Sequence, residues 1–204
     1  MKSFLPFLLL PFLTSANPLT SAGPLTSDPS PADTLSSFLT RRGLPFEDHT
    51  VTTADGYILQ THRIPNPGKP VVYLQHGILA DTWSWISNTN ELGVGQNLYS
   101  QGYDVWFGNS RGNTYGKNHT TLDPSNDKEF WAFSFAEMGR EDVPSTIKYI
   151  LGVTGKPNLV YAAWSQGNTA MLIALQTTEL KAFLEETVSV AVMLSPVSYM
   201  KHST

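Results

Sequence analysis

Apolar residues along the chain recur in short blocks whose spacing alternates between that of strands and that of helices. Continuous apolar or β-branched runs predict buried strands at residues 71–74, 103–107, 159–164 and 188–194. Stretches with helical character lie between them, at about residues 90–101, 141–152 and 167–185. Short buried strands separated by helices predict an α/β fold, with a mostly parallel sheet covered by helices on both faces.

A second pattern precedes these blocks. Residues 47–51 and 57–64 read as strands, and the segment Ala54-Asp55-Gly56 lies between them. An Asp-Gly pair between two such segments is typical of a tight hairpin turn. The sequence therefore predicts an antiparallel hairpin ahead of the parallel sheet.

The first 33 residues differ in composition from the rest. Met1-Lys2, an apolar stretch over residues 4–13 and the small residues Thr14-Ser15-Ala16 predict a signal peptide over residues 1–16. A signal anchor is the less favoured alternative, since the apolar stretch is shorter than the ~20 residues that span a bilayer. Residues 17–33 are rich in Pro, Ser and Thr and predict a flexible linker or propeptide. The folded domain is expected over residues 34–204, in the secretory pathway, either secreted or in a lysosome-like compartment.

Charge and composition narrow the choice of partners. The chain has 13 basic and 17 acidic residues and no basic run, which argues against nucleic-acid binding. It has no cysteine, so export brings no disulfide and stability must come from the core. Asn118-His119-Thr120 is the one usable glycosylation sequon, which makes Asn118 a candidate glycosylation site in a secreted protein.

Ser165 is the candidate nucleophile. It lies between the predicted strand 159–164 and the predicted helix 167–185, with the small residues Ala163 and Gly167 two positions away on either side. That pattern is typical of a strained strand-to-helix turn that exposes a serine hydroxyl, although glycine is usual at both small positions. The backbone N–H of Gln166 then lies at a helix start, where it can stabilise an oxyanion. An ordinary loop with an exposed serine is the alternative, because the pattern is short.

A second motif follows the strand 71–74. In an α/β hydrolase, a His-Gly turn at this place supplies the other backbone donor of the oxyanion hole. Here the turn is His76-Gly77, and Ile78 or Leu79 would donate, with Ile78 preferred. We expect His76 itself to be structural and not the catalytic base.

Together these motifs resemble the acid lipase family of α/β hydrolases, which includes gastric and lysosomal lipases. The resemblance covers about residues 35–200 and includes VTTADGYIL (51–59), RIP (63–65), GYDVWFGNSRGN (102–113), FWAFSF (130–135) and EM (137–138).

The resemblance implies hydrolysis of long-chain lipid esters, either triacylglycerols or steryl esters, by a Ser-Asp-His triad. Ser165 would be the nucleophile, and Gln166 and Ile78 would give the oxyanion N–H groups. It implies no metal or organic cofactor. The expected partner is the lipid ester substrate, with peripheral contact to lipid interfaces, and the oligomeric state is left open.

The chain departs from the family pattern at Trp164, where the family has histidine in Gly-His-Ser-Gln-Gly. Either its ring changes the acyl site or it packs under the turn, and we favour packing. The triad acid and base follow the serine in this fold, but only 39 residues follow Ser165. None of these 39 residues matches the family's acid or base. Glu179, Glu185 and Glu186 are predicted on a solvated helix face, and His202 is predicted to be a surface residue near the terminus. The histidines upstream lack the position of the base (His49, His62 and His119).

We therefore expect an α/β-hydrolase fold truncated after about the sixth strand, lacking the cap and the C-terminal strands and exposing a sheet edge. The preferred function is a secreted lipid ester hydrolase, of which this chain is the N-terminal portion. The alternative is a catalytically inactive, truncated lipase-like protein that binds lipid or a partner. Another α/β-hydrolase activity, such as a peptidase, is a third and less favoured interpretation.

Overall fold

The computed structural model describes Pro29, residues 32–88 and residues 92–199. The predicted signal peptide (1–16) and most of the predicted linker (17–33) lie outside these residues, as does His202. The predicted division of the chain into these segments therefore stays a prediction.

The described strands form one mixed sheet in the order β1-β2-β4-β3-β6-β7, with β5 paired to β2. Strands β4, β3, β6 and β7 are parallel, and β1, β2 and β5 pair antiparallel. The α/β fold and the N-terminal hairpin are thus confirmed. The strands are β1 (Glu47–Thr52), β2 (Tyr57–Ile64), β3 (Val71–Gln75), β4 (Asp104–Gly108), β5 (Asn118–His119), β6 (Leu159–Trp164) and β7 (Val188–Leu194).

The helices differ from prediction in their ends. The predicted helix 141–152 begins with a π turn, Met138–Asp142, and ends at Gly155, whose φ of 65° suits a glycine cap. The predicted helix 167–185 is two helices, because the polar residues Gln176 and Thr177 favour a turn and a new helix start. The α-helices are α1 (Leu35–Arg41), α2 (Trp83–Ile86), α3 (Val94–Ser100), α4 (Phe135–Glu137), α5 (Val143–Thr154), α6 (Gln166–Ala174) and α7 (Thr178–Thr187), and Lys128–Trp131 form a 3-10 turn. In the described ranges, no helix has the length and apolarity needed to cross a membrane.

Alternate residues of β3 build two cores, one on each face of the sheet. Val71 and Tyr73 pack with the core residues of α5, α6 and α7. Val72 and Leu74 face the opposite side and pack with those of α1 and α2. Burying each large apolar side chain contributes about 1.5–3 kcal/mol. The central strand is thereby fixed from both faces, and it positions the loop that follows it.

Strand β7 lies at one edge of the sheet and is largely exposed. Val190, Val192 and Leu194 are 38%, 37% and 47% exposed, and β7 carries no charged residue. The first residue of the strand, Val188, is buried. The predicted exposed edge is therefore present among the described residues.

Candidate active site

Ser165 occupies the turn between β6 and α6 in a conformation unusual for a residue with a side chain. Its φ is 51° and its ψ is −121°. Such a conformation costs about 1–3 kcal/mol and persists only where the surroundings enforce it. The Ser165 N–H donates to the carbonyl oxygen of Leu194 at 3.1 Å, and the Ser165 carbonyl accepts from the Asn168 N–H at 3.0 Å. The backbone is thus held in the strained strand-to-helix turn that the sequence pattern predicts.

Gly167 lets the start of α6 pack directly on the end of β3. A Cβ atom at this position would lie 2.7 Å from the carbonyl oxygen of Gln75 and 2.8 Å from that of His76. Both are backbone atoms and cannot rotate away. A glycine two positions after Ser165 is therefore required, because the backbone of α6 lies so close to the backbone at the end of β3.

The loop after β3 lies against the Ser165 turn. A Cβ on Gly77 would lie 2.7 Å from the ring of Trp164 and 3.0 Å from the Cβ of Ser165. Beyond this contact Ile78 is 59% exposed and Leu79 fully exposed, and Leu79 has a φ of 58°. The structure thus brings the two sequence motifs together. The half-buried Trp164 ring packs against the loop, in agreement with the packing interpretation.

The two residues expected to give backbone oxyanion donors, Gln166 and Ile78, lie next to the Ser165 turn and in the loop packed against it. Gln166 is the first residue of α6, so its N–H is one of the first four that have no partner within a helix. The helix dipole adds partial positive charge there. The N–H of Ile78 belongs to the loop whose Gly77 contacts Ser165. Chemically, this arrangement suits an anionic oxygen that forms next to the serine hydroxyl.

His76 is buried and both of its ring nitrogens are engaged. Nε2 accepts from the Ser110 N–H at 3.1 Å, so the ring proton lies on Nδ1 and is donated to the carbonyl oxygen of Gly77 at 2.7 Å. Burial lowers the pKa of His76 below its usual range, although the bond to Gly77 acts in the opposite direction. His76 is therefore a neutral residue that fixes the loop, which agrees with the structural role expected for it.

Two asparagines that the sequence reasoning left without a role connect the β3 loop to the segment after β4. Asn109 accepts from the Thr82 N–H at 3.1 Å. Asn113 donates to Nε2 of His76 at 3.1 Å and to the carbonyl oxygen of Ala80 at 3.3 Å. Both lie in the stretch GYDVWFGNSRGN that carries the family resemblance, and that resemblance was the only signal available for them.

A buried ion-pair cluster anchors the same segment. Arg111 is 2% exposed and contacts Asp142 and Asp55 at 2.8 and 2.6 Å. The Arg111 guanidinium also lies 3.9 Å from the centre of the Tyr57 ring. Burial raises the pKa of Asp142 to about 6, against the opposing effect of Arg111. This cluster ties the segment after β4 to the hairpin turn and to the π turn before α5.

The remaining candidate residues lie elsewhere. Three glutamates are exposed on α7, as predicted: Glu179, Glu185 and Glu186. Asn118, the candidate glycosylation site, is exposed on β5. Each described histidine other than His76 has partners away from Ser165: His49 contacts Tyr149 and Glu47, His62 contacts Thr82 and Asp48, and His119 contacts the carbonyl oxygen of Asp55.

Comparison with known protein families agrees with this architecture. A family model described as "alpha/beta hydrolase fold" matches residues 70–203, and a model described as "Partial alpha/beta-hydrolase lipase region" matches residues 35–89. The chain therefore belongs to the α/β hydrolase fold family.

Its relatives within that family are the acid lipases, and the predicted resemblance is confirmed. Gastric triacylglycerol lipase of Bos taurus is 43% identical over 93% of this chain and 49% of its own length. Lysosomal acid lipase/cholesteryl ester hydrolase of Homo sapiens is 45% identical over 76% of this chain and 41% of its own length. The chain thus spans about half the length, or less, of the curated relatives it matches.

Solved structures show the same fold in enzymes of different activity. An esterase of Pyrococcus furiosus superposes with a TM-score of 0.58 at 18% identity, covering 82% of this chain and 56% of its own. An epoxide hydrolase of Vigna radiata gives a TM-score of 0.50 at 21% identity, covering 76% and 41%. At such identities the likeness concerns the fold alone.

Proposed function

We propose that this protein acts in the hydrolysis of long-chain lipid esters, triacylglycerols or steryl esters, with Ser165 as the nucleophile. The observation that carries the proposal is the strained Ser165 turn, at φ 51°, with the Gly77 loop packed against it. Backbone strain of this kind is concentrated at functional sites. The lipase relatives supply the substrate class, since their names specify triacylglycerols and cholesteryl esters.

In the proposed reaction the Oγ of Ser165 attacks the acyl carbon of the ester and loses its proton to a base. The carbonyl oxygen becomes an oxyanion, which the backbone N–H groups of Gln166 and Ile78 stabilise, each by about 3 kcal/mol. The base returns the proton to the leaving alcohol, and an acyl-serine remains. Water, deprotonated by the same base, then attacks the acyl-serine, and the base returns this proton to Oγ of Ser165 as the fatty acid leaves.

The base for Ser165 is proposed to come from outside the described residues. Each described histidine already has other partners, and both ring nitrogens of His76 bond the backbone. In this fold the acid and the base follow the serine along the chain. The relatives extend well beyond the matched part, and their remaining length is where such residues would lie.

Entry into the secretory pathway is part of the proposal. The apolar start of the chain and the gastric and lysosomal relatives support it. We propose removal of residues 1–16 and glycosylation of Asn118, which is exposed on β5. N-terminal sequencing of the mature protein tests the first, and a loss of mass on peptide N-glycosidase treatment, absent in Asn118→Gln, tests the second.

Lipid binding without hydrolysis is a second candidate. It is favoured by the exposed apolar side chains of Ile78 and Leu79 beside Ser165, together with the engagement of every described histidine elsewhere. A form of the protein without a base would still present this apolar surface. The two candidates differ in one outcome, because binding of a long-chain ester analogue without turnover supports the second only.

The test uses protein purified from its native source, assayed on an emulsified long-chain triacylglycerol, a steryl ester and a short-chain ester. Recombinant Ser165→Ala and Ser195→Ala are compared in the same full-length background. Ser195 is a suitable control because it is an exposed serine at the end of the neighbouring strand and, like Ser165, has a positive φ, 46°. We expect Ser165→Ala to lose at least about a thousandfold in kcat and Ser195→Ala to retain activity. Equal activity of Ser165→Ala and wild type contradicts the proposal, and a preference for short esters or peptides contradicts the substrate class.

A further inference from the structure

We propose that Asn113 is a positioning residue that holds the backbone of residues 77–80, so that the N–H of Ile78 faces the acyl oxygen on Ser165. This inference rests on the proposed function. It adds a residue outside both sequence motifs, one that touches neither Ser165 nor the proposed position of the substrate but acts through the loop.

The loop has little side-chain packing to hold it. Ile78 is 59% exposed and Leu79 is fully exposed, so neither side chain anchors the backbone in a core. Leu79 also has a φ of 58°, a conformation that a leucine leaves unless other contacts maintain it. Within the loop, the Ala80 N–H donates to the Gly77 carbonyl at 3.3 Å. The loop conformation must therefore be fixed by polar contacts from outside.

Asn113 provides such contacts at two points of the loop. Its side-chain amide nitrogen lies 3.1 Å from Nε2 of His76, just before the loop, and 3.3 Å from the carbonyl oxygen of Ala80, near its end. His76 in turn donates from Nδ1 to the carbonyl oxygen of Gly77. One amide group thus connects both ends of the segment that contains Ile78.

The orientation of the Asn113 amide is fixed by its other contacts. Its Oδ1 accepts from the backbone N–H of Tyr115 at 2.9 Å, and its nitrogen lies 3.1 Å from Oδ1 of Asn109. The NH2 group therefore faces the loop, and the oxygen faces its own turn. A carboxylate in place of the amide keeps the acceptor for Tyr115 but presents a second oxygen to Ala80 and Asn109.

Asn113 is more suitable for substitution than its neighbour. It is only partly buried, whereas Asn109 is 2% exposed and also bonds the β2 carbonyl of Gln60. Removing Asn109 would disturb the sheet as well as the loop. Removing the Asn113 amide acts on the loop, and small misplacements of a catalytic donor can lower turnover by about a hundredfold.

The experiment compares wild type, Asn113→Asp, Asn113→Ala and the control Asn126→Ala in the full-length protein. Asn126 is an exposed asparagine whose amide bonds Asp123 in a separate turn. The two readouts are hydrogen exchange of the peptide spanning residues 77–82, followed by mass spectrometry, and kcat and KM on a soluble short-chain ester.

We expect both Asn113 variants to exchange the hydrogen-bonded amides of this peptide, those of Ala80 and Thr82, at least about tenfold faster and to lose about ten- to a hundredfold in kcat. KM should stay within about twofold, because the substrate ground state does not use the oxyanion contact. Asn126→Ala should match wild type in both readouts.

Unchanged exchange in the 77–82 peptide overturns the inference whatever the activity. Faster exchange with unchanged kcat also overturns it, because the loop would then be loosened without effect on catalysis. If the wild-type protein is itself inactive, the proposed function fails and the catalytic role of Asn113 fails with it. Exchange alone then reports whether Asn113 restrains the loop, so the two failures are distinguishable.

Discussion

The turn that carries Ser165 is held from two sides that differ in kind. On the β3 side the contacts are close and glycine-dependent: Gly77 packs on the Trp164 ring and Gly167 packs on the carbonyl oxygens at the end of β3. On the β7 side the contacts are hydrogen bonds to an exposed strand. Leu194 accepts from the Ser165 N–H at 3.1 Å and from the Asn168 side chain at 2.7 Å.

The two sides also differ in whether their buried polar atoms have hydrogen-bond partners. On the β3 side, His76 has partners at both ring nitrogens. On the β7 side, the buried Oδ1 of Asn168 has no partner among the described residues. The β3 side of the Ser165 turn is thus prearranged by backbone fit, whereas among the described residues the β7 side is held by a few hydrogen bonds to Leu194.

The largest effect is expected from a substitution that disrupts the close packing on the β3 side. Gly167→Ala places a Cβ within 2.7 Å of the Gln75 carbonyl oxygen, so α6 must move away from β3. We expect the free energy of unfolding to fall by about 3 kcal/mol, measured by urea denaturation. The matched control is Gly152→Ala, since Gly152 lies in the exposed part of α5 with no atom within 4 Å of the added Cβ. It should gain up to about 1 kcal/mol, and equal effects at the two glycines would refute the close fit.

A second effect on the β3 side depends on pH. Burial lowers the pKa of His62 from 6.5 to about 4, and His62 contacts Thr82 at the end of the β3 loop. Between these values the unfolded state binds more protons than the folded state, so stability falls as pH falls. From pH 7 to pH 5 the expected loss due to His62 is about 2 kcal/mol.

Urea unfolding at both pH values, for wild type and His62→Gln, isolates this contribution. Asp142 has a raised pKa and therefore acts with the opposite sign, but it is present in both proteins. If His62→Gln loses as much stability as wild type between pH 7 and pH 5, His62 is not the source.

A smaller loss of stability is expected from removing one hydrogen bond near the β7 side. The hydroxyl of Thr169 donates to the carbonyl oxygen of Val197 at 2.7 Å. Thr169→Val keeps the shape of the side chain and removes this bond, so we expect a loss of about 1 kcal/mol, measured by thermal and urea unfolding. Thr178→Val, at the exposed first residue of α7, serves as the control and should change stability by less than about 0.5 kcal/mol. Equal effects at the two threonines would show that the bond to Val197 contributes nothing.

The smallest expected effect on stability concerns the surface of β7. Val192 is 37% exposed on β7, which lies at the edge of the sheet formed by the described residues and has no charged residue, and a charge on such an edge disfavours pairing with other chains. In the 204-residue chain, Val192→Lys should leave the free energy of unfolding within about 0.5 kcal/mol and reduce light scattering in concentrated solution. The buried Val72→Thr on β3 should instead lower stability clearly, by about 1–3 kcal/mol. Unchanged scattering in Val192→Lys would show that this edge does not drive association.

The sequence predicted those features of the fold for which a local conformation or a close contact requires one particular type of residue. The Asp-Gly turn, the apolar runs of β3, β4, β6 and β7, and the small residue at Gly167 each answer a local requirement, and the structure agrees with all of them. The helix break at Thr177 was missed because a polar run with helical neighbours does not show where a helix restarts. Boundaries of this kind depend on packing as well as on propensity.

The roles of Asn109, Asn113 and Arg111 could not be read from spacing. The partners that link them to the β3 loop and to the hairpin turn are separated from them by about 30 to 60 residues, and polar side chains in a loop carry no periodic signal. Only the family resemblance drew attention to that stretch. Neither spacing nor the described residues identify the base for Ser165, because each described histidine has other hydrogen-bond partners.

The most direct test of the central claim is covalent labelling of Ser165. The protein from its native source is treated with a long-chain alkyl phosphonate ester, which reacts with activated serines, and the modified peptide is mapped by mass spectrometry. We expect one label per molecule on Ser165, and none on Ser195, the other described serine with positive φ. Label on a different serine, or no label on Ser165 after full reaction of a lipase control, would contradict the assignment of Ser165 as the nucleophile.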